Sequence, residues 1–373
     1  MTLIREFRSC WLIATFGCIL FTAGTGILFW NEGRAVHTIL SLDEAQNDAI
    51  TLDPDAEIEE TYEGRLVHIK GPILVGEPLT EPDYNIIVMA VKLKRRVQMY
   101  QWIEESVEQN YGESMVVETQ DRTYYYYRDW RDKLIDSRQF YIQSGHQNPA
   151  HFPIESQTQT AEIVSIGRYE LGIEAKTRFN NFAELTSDTR PDDSSIKLHL
   201  GLYYHSNDIF EPEVGDIRIL FSYAGMEGEV YTVVGKLQKG KIVPYETSRK
   251  SKILLVYSGE LTLKEVFKAE HHVQRLTTWG FRFMGWVLIF FGASCTTSLL
   301  HIILNQVCFL SVLAPDPRYP VGANLMVSYS LALIVTSIAW IFHRPWIGAG
   351  LLFAAASPFL YCARGFIGYE RVS

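Results

Sequence analysis

Hydrophobic and charged positions are sharply segregated along this chain. Residues 10–30 carry no charge for 21 positions. A helix rises 1.5 Å per residue, so this stretch reaches about 31 Å, enough for a bilayer core of about 30 Å. Residues 283–304 form a second such stretch, and no charge occurs between Arg282 and Asp316. Residues 321–342 form a third. The fourth, 346–362, is shorter. Pro345 suits its first turn and Pro358 should kink it. Only His343–Arg344–Pro345 separates the last two, so they predict an antiparallel hairpin. A cleaved signal peptide would have an apolar region of about 7–15 residues followed by a small-residue cleavage site. The first stretch is longer and lacks that site, so it reads as an anchor.

Between the first and second stretches the pattern changes to the two-residue period of β-structure. Strands are predicted at 65–70, 85–93, 97–103, 114–120, 162–166, 198–204, 217–223, 230–237, 242–245 and 253–257, with a short helix at 181–185. Gly228 and the Lys239–Gly240–Lys241 sequence supply turns. Thr262 with Glu265 marks a helix start that runs toward the second span. The expected fold class is α+β: four transmembrane helices, with a large, mostly-β domain at 31–276 inserted between helices 1 and 2. Residues 1–9, 305–320 and 363–373 are the tails and loop outside the spans.

Charge supports this division. Residues 31–276 hold 27 Lys+Arg and 40 Asp+Glu, a net of −13; the rest of the chain holds 7 and 3, a net of +4. No nucleic acid is expected as a partner. Arg5, Arg8, Arg318, Arg364 and Arg371 share one side if there are four spans, which predicts that side as cytosolic and the domain as lumenal. Arg34 and Arg282 flank the domain and Arg344 shares its side. All five cysteines lie outside 31–276, so the domain holds no disulfide, and it carries no N-x-S/T acceptor. Both absences count against a cell-surface role.

Candidate chemistry is sparse. Asn31, Glu32, Arg34 and Arg282 stand at membrane boundaries. Such charges ordinarily snorkel to headgroups; the sharper expectation is that Glu32 pairs with Arg282 or Arg34. The basic run Lys92, Lys94, Arg95, Arg96 reads as a charged strand face, and Tyr124–Tyr127 with Trp130 as core and cross-strand pairs. His146, His151, His199 and His205 fit no standard metal spacing, and His271 and His272 point to different helix faces. No cofactor or catalytic motif is present. Within the spans, Ser330 and Ser337 share a helix face, and Gly348 and Gly350 allow close approach. These are the helix-packing candidates, serving bundle assembly or self-association. Gly24-x-Gly26 lies in an apolar span and is not a dinucleotide loop.

Several motifs carry a family resemblance. NEGRA (31–35), EGRLVHI (63–69), KLKRRVQMYQW (92–102), GHQNP (145–149), YYHS (203–206), PEVGDIRILFSYAG (212–225), TWGFRFMGW (278–286) and FHRP (342–345) resemble the LUMA family, transmembrane protein 43, in the same order and over nearly the whole chain. The nine residues before the first span are fewer than vertebrate members carry, and the turn after Gly225 is abbreviated. The resemblance implies a multi-pass protein of the endoplasmic reticulum and inner nuclear membrane, with its large domain lumenal and no enzymatic activity. It implies a scaffold that organises membrane-protein complexes and supports the nuclear envelope. Membrane lipid, self-association, emerin-like proteins and lamins are the implied partners. The competing class is a membrane enzyme or pore-like protein whose lumenal domain binds a ligand. Spans without paired ionisable groups favour the scaffold.

Overall fold

The computed structural model describes residues 2–57, 59–108, 122–186, 191–306, 320–341 and 345–369. Its helices are α1 (Thr2–Asp48), α2 (Ile173–Thr177), α3 (Leu263–Gln306), α4 (Pro320–Ile341) and α5 (Pro345–Tyr369). With many strands between α1 and α3, the chain is α+β. It divides into two units. One comprises Asp48–Glu246 with Lys252–Leu263; the other comprises Met1–Asn47, Thr247–Ser251 and Lys264–Ser373.

The first unit is built on two sheets. Strands Leu66–Val75, Val164–Ile166, Tyr169–Leu171, Lys241–Val243 and Val230–Gln238 pair in that order, and the last pairs back to the first, closing a ring. Each contact is antiparallel except that of Tyr169–Leu171 with Lys241–Val243. The second sheet centres on the 19-residue strand Ala90–Glu108. Ile217–Met226 lies along its first half and Arg122–Arg131 along its second, the two registers meeting at Met99. Alternation places the core: Ile217, Ile219 and Phe221 are buried while Arg218, Leu220 and Ser222 are only partly so. One cluster joins residues of both sheets, including Ile69, Ile73, Val233, Leu93, Val97 and Phe221.

Three expectations change. The boundary at residue 31 falls inside α1, which continues to Asp48. Hydropathy marks where lipid ends, not where a helix ends, and Ala35, Leu42 and Ala45 are buried along the continuing helix. Residues 181–185 are not helical: Ala183–Glu184 pairs instead with Ser222 and Tyr223 at a sheet edge, where ladder bonds replace a helix too short to nucleate. The strand expected at 198–204 is a hairpin, because Leu200 and Gly201 adopt positive φ and turn the chain between Ile196–His199 and Leu202–His205. The strand expected at 114–120 lies outside the described residues.

Among the described residues of the second unit, two helices are long and apolar enough to cross a membrane: α1 over Trp11–Asp48 and α3 over Leu263–Thr296. α4 and α5 contain shorter described apolar stretches, Asn324–Ile338 and Pro345–Ser357.

Two histidines, His68 buried and His205 half-buried, give the β-rich unit a pH response. Burial holds His68 below the usual histidine range, with its ring between the Thr51 hydroxyl and the Leu261 carbonyl. Burial does the same to His205, which bonds the Tyr84 hydroxyl at 2.9 Å. The unfolded chain therefore takes up protons near pH 6.5 that the folded unit refuses. Stability is fully present above that pH and falls as pH drops toward the lower folded values. The full-length protein in mild detergent should lose apparent melting temperature between pH 7 and pH 5, above the range where carboxylates titrate. His68→Gln should shrink that loss; an unchanged profile would exclude the histidine as its source.

Candidate functional site

A buried polar cluster lies where α1 and α3 pass each other antiparallel. Its geometry begins with glycine. Gly17 and Gly24 are seven apart on α1, and Gly285 and Gly292 are seven apart on α3. Each faces the other helix's backbone. A Cβ on Gly24 would lie 2.8 Å from the Gly285 carbonyl oxygen, and one on Gly292 would lie 2.6 Å from the Phe21 nitrogen. A Cβ on Gly17 would meet the Gly292 oxygen at 2.9 Å, and one on Gly285 would meet Leu28 at 2.7 Å. The helices touch backbone to backbone, as small residues permit in lipid. Gly26 has open space around it. Leu28 and Ile289 continue the seam as a core completed by Val335 of α4.

One heptad further along, the seam turns polar. Asn31 donates through Nδ2 to the Thr278 carbonyl at 3.1 Å. Arg282 donates from Nε to Glu32 Oε1 at 2.6 Å and from Nη2 to Oε2 at 2.8 Å. The Glu32 side chain is 1% exposed and that of Arg282 16%. The guanidinium of Arg282 also lies 5.0 Å from the Trp279 ring centre. Arg34 donates to Asn31 Oδ1 at 3.2 Å and to Gln274 Oε1 at 3.4 Å, and sits over Trp30 and Phe281. The structure thus brings Asn31, Glu32, Arg34 and Arg282 together, with Glu32 bound to Arg282 rather than Arg34. Arg344 lies outside the described residues.

The helix-packing candidates separate into two pairs. Ser337 donates to the Gly348 carbonyl at 3.0 Å, joining α4 to α5. A Cβ on Gly348 would lie 2.8 Å from the Ile341 nitrogen. Gly350 has nothing within 4 Å, and the buried Ser330 hydroxyl has no hydrogen-bond partner among the described residues. Thr296, Ser328 and Thr336 bond carbonyls of their own helices. The glycine seam was missed by sequence reasoning, although the seven-residue spacing in both apolar stretches was its signal.

The β-rich unit carries a buried pair of its own: Arg95 donates from Nη1 to Glu81 Oε2 at 2.7 Å, and Gln159 donates from Nε2 to Oε1 at 2.8 Å. The basic run is not a simple solvated face. Lys92 is buried, donates to the Thr177 carbonyl at 2.9 Å, and is held below the usual lysine range by burial. Arg95 pairs with Glu81 and Arg96 with Asp132. The aromatic run is not core: Tyr125 is exposed and the others are part-buried at the surface of their strand, where Tyr124 stacks on Tyr141, Tyr126 on His146, and Trp130 tilts against Tyr100. Among the described residues no group of three His, Cys, Asp or Glu side chains could hold a metal.

A family model, Transmembrane protein 43, matches residues 99–345. The Transmembrane protein 43 homolog of Drosophila melanogaster is 58% identical over 373 residues, covering 100% of this chain and 99% of the relative. This chain belongs to the transmembrane protein 43 family. The Homo sapiens member is 32% identical over 348 residues and the Pongo abelii member 33%, each covering 88% of this chain and 84% of the relative. No solved structure matches it. None of these relatives' names designates an enzyme.

Two measurements test the site in this transmembrane protein 43 chain. Gly24→Ala should destabilise the detergent-solubilised protein by about 1–3 kcal/mol, the usual cost of overpacking. Gly26→Ala, in open space, should not lower stability; equal behaviour of the two variants would refute the seam. Glu32→Gln leaves Arg282 buried without its partner charge, a loss of about 3–5 kcal/mol. Glu32→Gln with Arg282→Met should melt above Glu32→Gln alone, since no unpaired charge remains. Additive losses in that comparison would mean that the two groups do not act as a pair.

Proposed function

We propose that this protein is a four-span membrane scaffold of the endoplasmic reticulum and inner nuclear membrane, with its β-rich domain in the lumen. In this reading α1, α3, α4 and α5 each cross the bilayer. The observation that carries it is how the polar groups of the helices are used. Glu32, Arg282, Asn31 and Arg34 are engaged with each other and with Thr278 and Gln274. Ser337 is engaged with Gly348. Residues 283–304, 321–342 and 346–362 carry no Asp, Glu, Lys or Arg. A transport path or intramembrane catalyst needs ionisable groups at depth, whereas these groups join helix to helix. A bundle spent on its own assembly suits a protein that organises others. Emerin-like proteins, lamins and further copies of the chain are its proposed partners. The basic residues near the chain ends and the loop before α4 favour a cytosolic location for those segments.

Topology gives a direct test. Lys239→Asn with Lys241→Thr places an N-x-T acceptor at an exposed turn whose first residue already has positive φ, which Asn tolerates. In sealed microsomes the acceptor should be glycosylated while a tag after Ser373 is digested by added protease. Protection of the tag, or an unmodified acceptor that protease removes, would overturn the four-span lumenal reading. Proximity labelling in intact cells should recover nuclear-envelope proteins; recovery confined to unrelated compartments would refute the scaffold's location.

A further inference from the structure

Within the helical unit, a long groove runs beside the Glu32–Arg282 pair. Its apolar part, about 540 Å³, is walled by Phe283 and Trp286 of α3, Tyr329 and Leu333 of α4, and Leu351 of α5. Phe283 and Tyr329 are exposed there, 65% and 49%. The next cavity along, about 530 Å³, adds Asp43, His271 and Arg275. Trp279, Arg282 and Trp340 line both cavities, so an apolar and a more polar cavity adjoin at these residues. Each volume falls in the range of about 300–1,000 Å³ typical of small-molecule sites.

The polar end is basic. Lys264, Lys268, His271 and Arg275 follow one another at steps of four, three and four along one face of α3, and all four line a further cavity above. Arg275 has no ion-pair partner among the described residues. Arg282 uses Nε and Nη2 on Glu32, leaving Nη1 without a hydrogen bond to the described residues. The one acid at the rim of the middle cavity, Asp43, is held by His271 at 3.3 Å. Arg275 stands two turns from Arg282, about 10 Å along the helix. The headgroup layer at a bilayer surface is about 5–8 Å deep on each side, so with Arg282 at its inner edge Arg275 stands near its outer limit.

We propose that this groove binds an anionic glycerophospholipid, with its phosphate between Arg282 and Arg275 and one acyl chain along Phe283, Trp286 and Leu333. A choline headgroup would bring its own cation against Arg275 and Lys268; a serine, glycerol or inositol headgroup brings net negative charge instead. The proposal rests on the reading that these helices lie in a bilayer. Its test is made on solubilised protein and does not depend on which side of the membrane the β-rich domain occupies, so the two fail separately.

Native mass spectrometry of the full-length protein in mild detergent should show retained phosphatidylserine in preference to phosphatidylcholine by about five-fold or more, as a surface cation or two would supply. Arg275→Glu with Lys268→Glu, which leaves the Glu32–Arg282 pair intact, should abolish the preference. Leu333→Trp, filling the apolar wall, should reduce retention of both lipids without changing the size-exclusion profile. Millimolar inorganic phosphate should not displace the bound lipid. Equal retention of the two lipids by the wild type, or retention unmoved by Leu333→Trp, would overturn the proposal. Displacement by inorganic phosphate alone would make this a plain anion site and overturn it equally.

Discussion

The helical unit depends on the close antiparallel contact of α1 with α3, and that contact depends on three seam positions repeated every seven residues. Gly17 faces Gly292, Gly24 faces Gly285, and Asn31 bonds the Thr278 backbone. A seven-residue step keeps one stripe of each helix on the other over successive turns. Lipid supplies no hydrophobic drive for helices to associate, so backbone proximity and polar contacts must provide it. The glycines supply the proximity. The polar contacts lie along the same seam, where the glutamate and the arginine meet while both are largely screened from solvent.

Much of this organisation is legible in the sequence, for reasons that differ by element. The uncharged stretch at 10–30 is conspicuous because one ionised side chain in lipid is costly. The strands Leu66–Val75, Ile217–Met226 and Val230–Gln238 are legible because their apolar positions alternate over many residues. The Glu32–Arg282 contact was open to inference, since two opposite charges stood at two membrane boundaries. What could not be read were the places where local pattern and tertiary context disagree. Ala183–Glu184 follows the edge of a sheet it meets only in three dimensions. α1 runs past the end of its apolar stretch because its inward face continues with small and aliphatic residues. Gly350 looks like Gly348 in sequence, yet only Gly348 faces a neighbouring helix.

The β-rich unit shows the same distinction between pattern and use. Lys92, Lys94, Arg95 and Arg96 look alike as a string, but a strand sends successive side chains to opposite faces. Lys92 is buried against carbonyl groups, Lys94 lies over Phe182, and Arg95 and Arg96 meet separate carboxylates. A run of like charge in sequence becomes four distinct environments once the strand is pleated. Such groups specify the sheet's surroundings rather than present one surface to a ligand.

A buried ion pair is weak evidence of stability, because desolvation offsets most of its attraction. Here its value lies in choosing a register. Glycines spaced by seven leave the two helices nearly free to slip by one heptad, since a small residue would still meet a small residue at part of the seam. Slip in one direction sets Gly24 against Gly292 and Asn31 against Gly285, but carries Glu32 from Arg282 to Ile289, leaving a carboxylate unpaired in an apolar wall. Slip the other way offers Glu32 a new partner in Arg275, but leaves Arg282 beside Thr25 with no acid to meet and sets Gly24 against Thr278. Only the observed register satisfies both charges and both glycine pairs together. The glycines determine how near the helices come, and the ion pair determines which residues face one another.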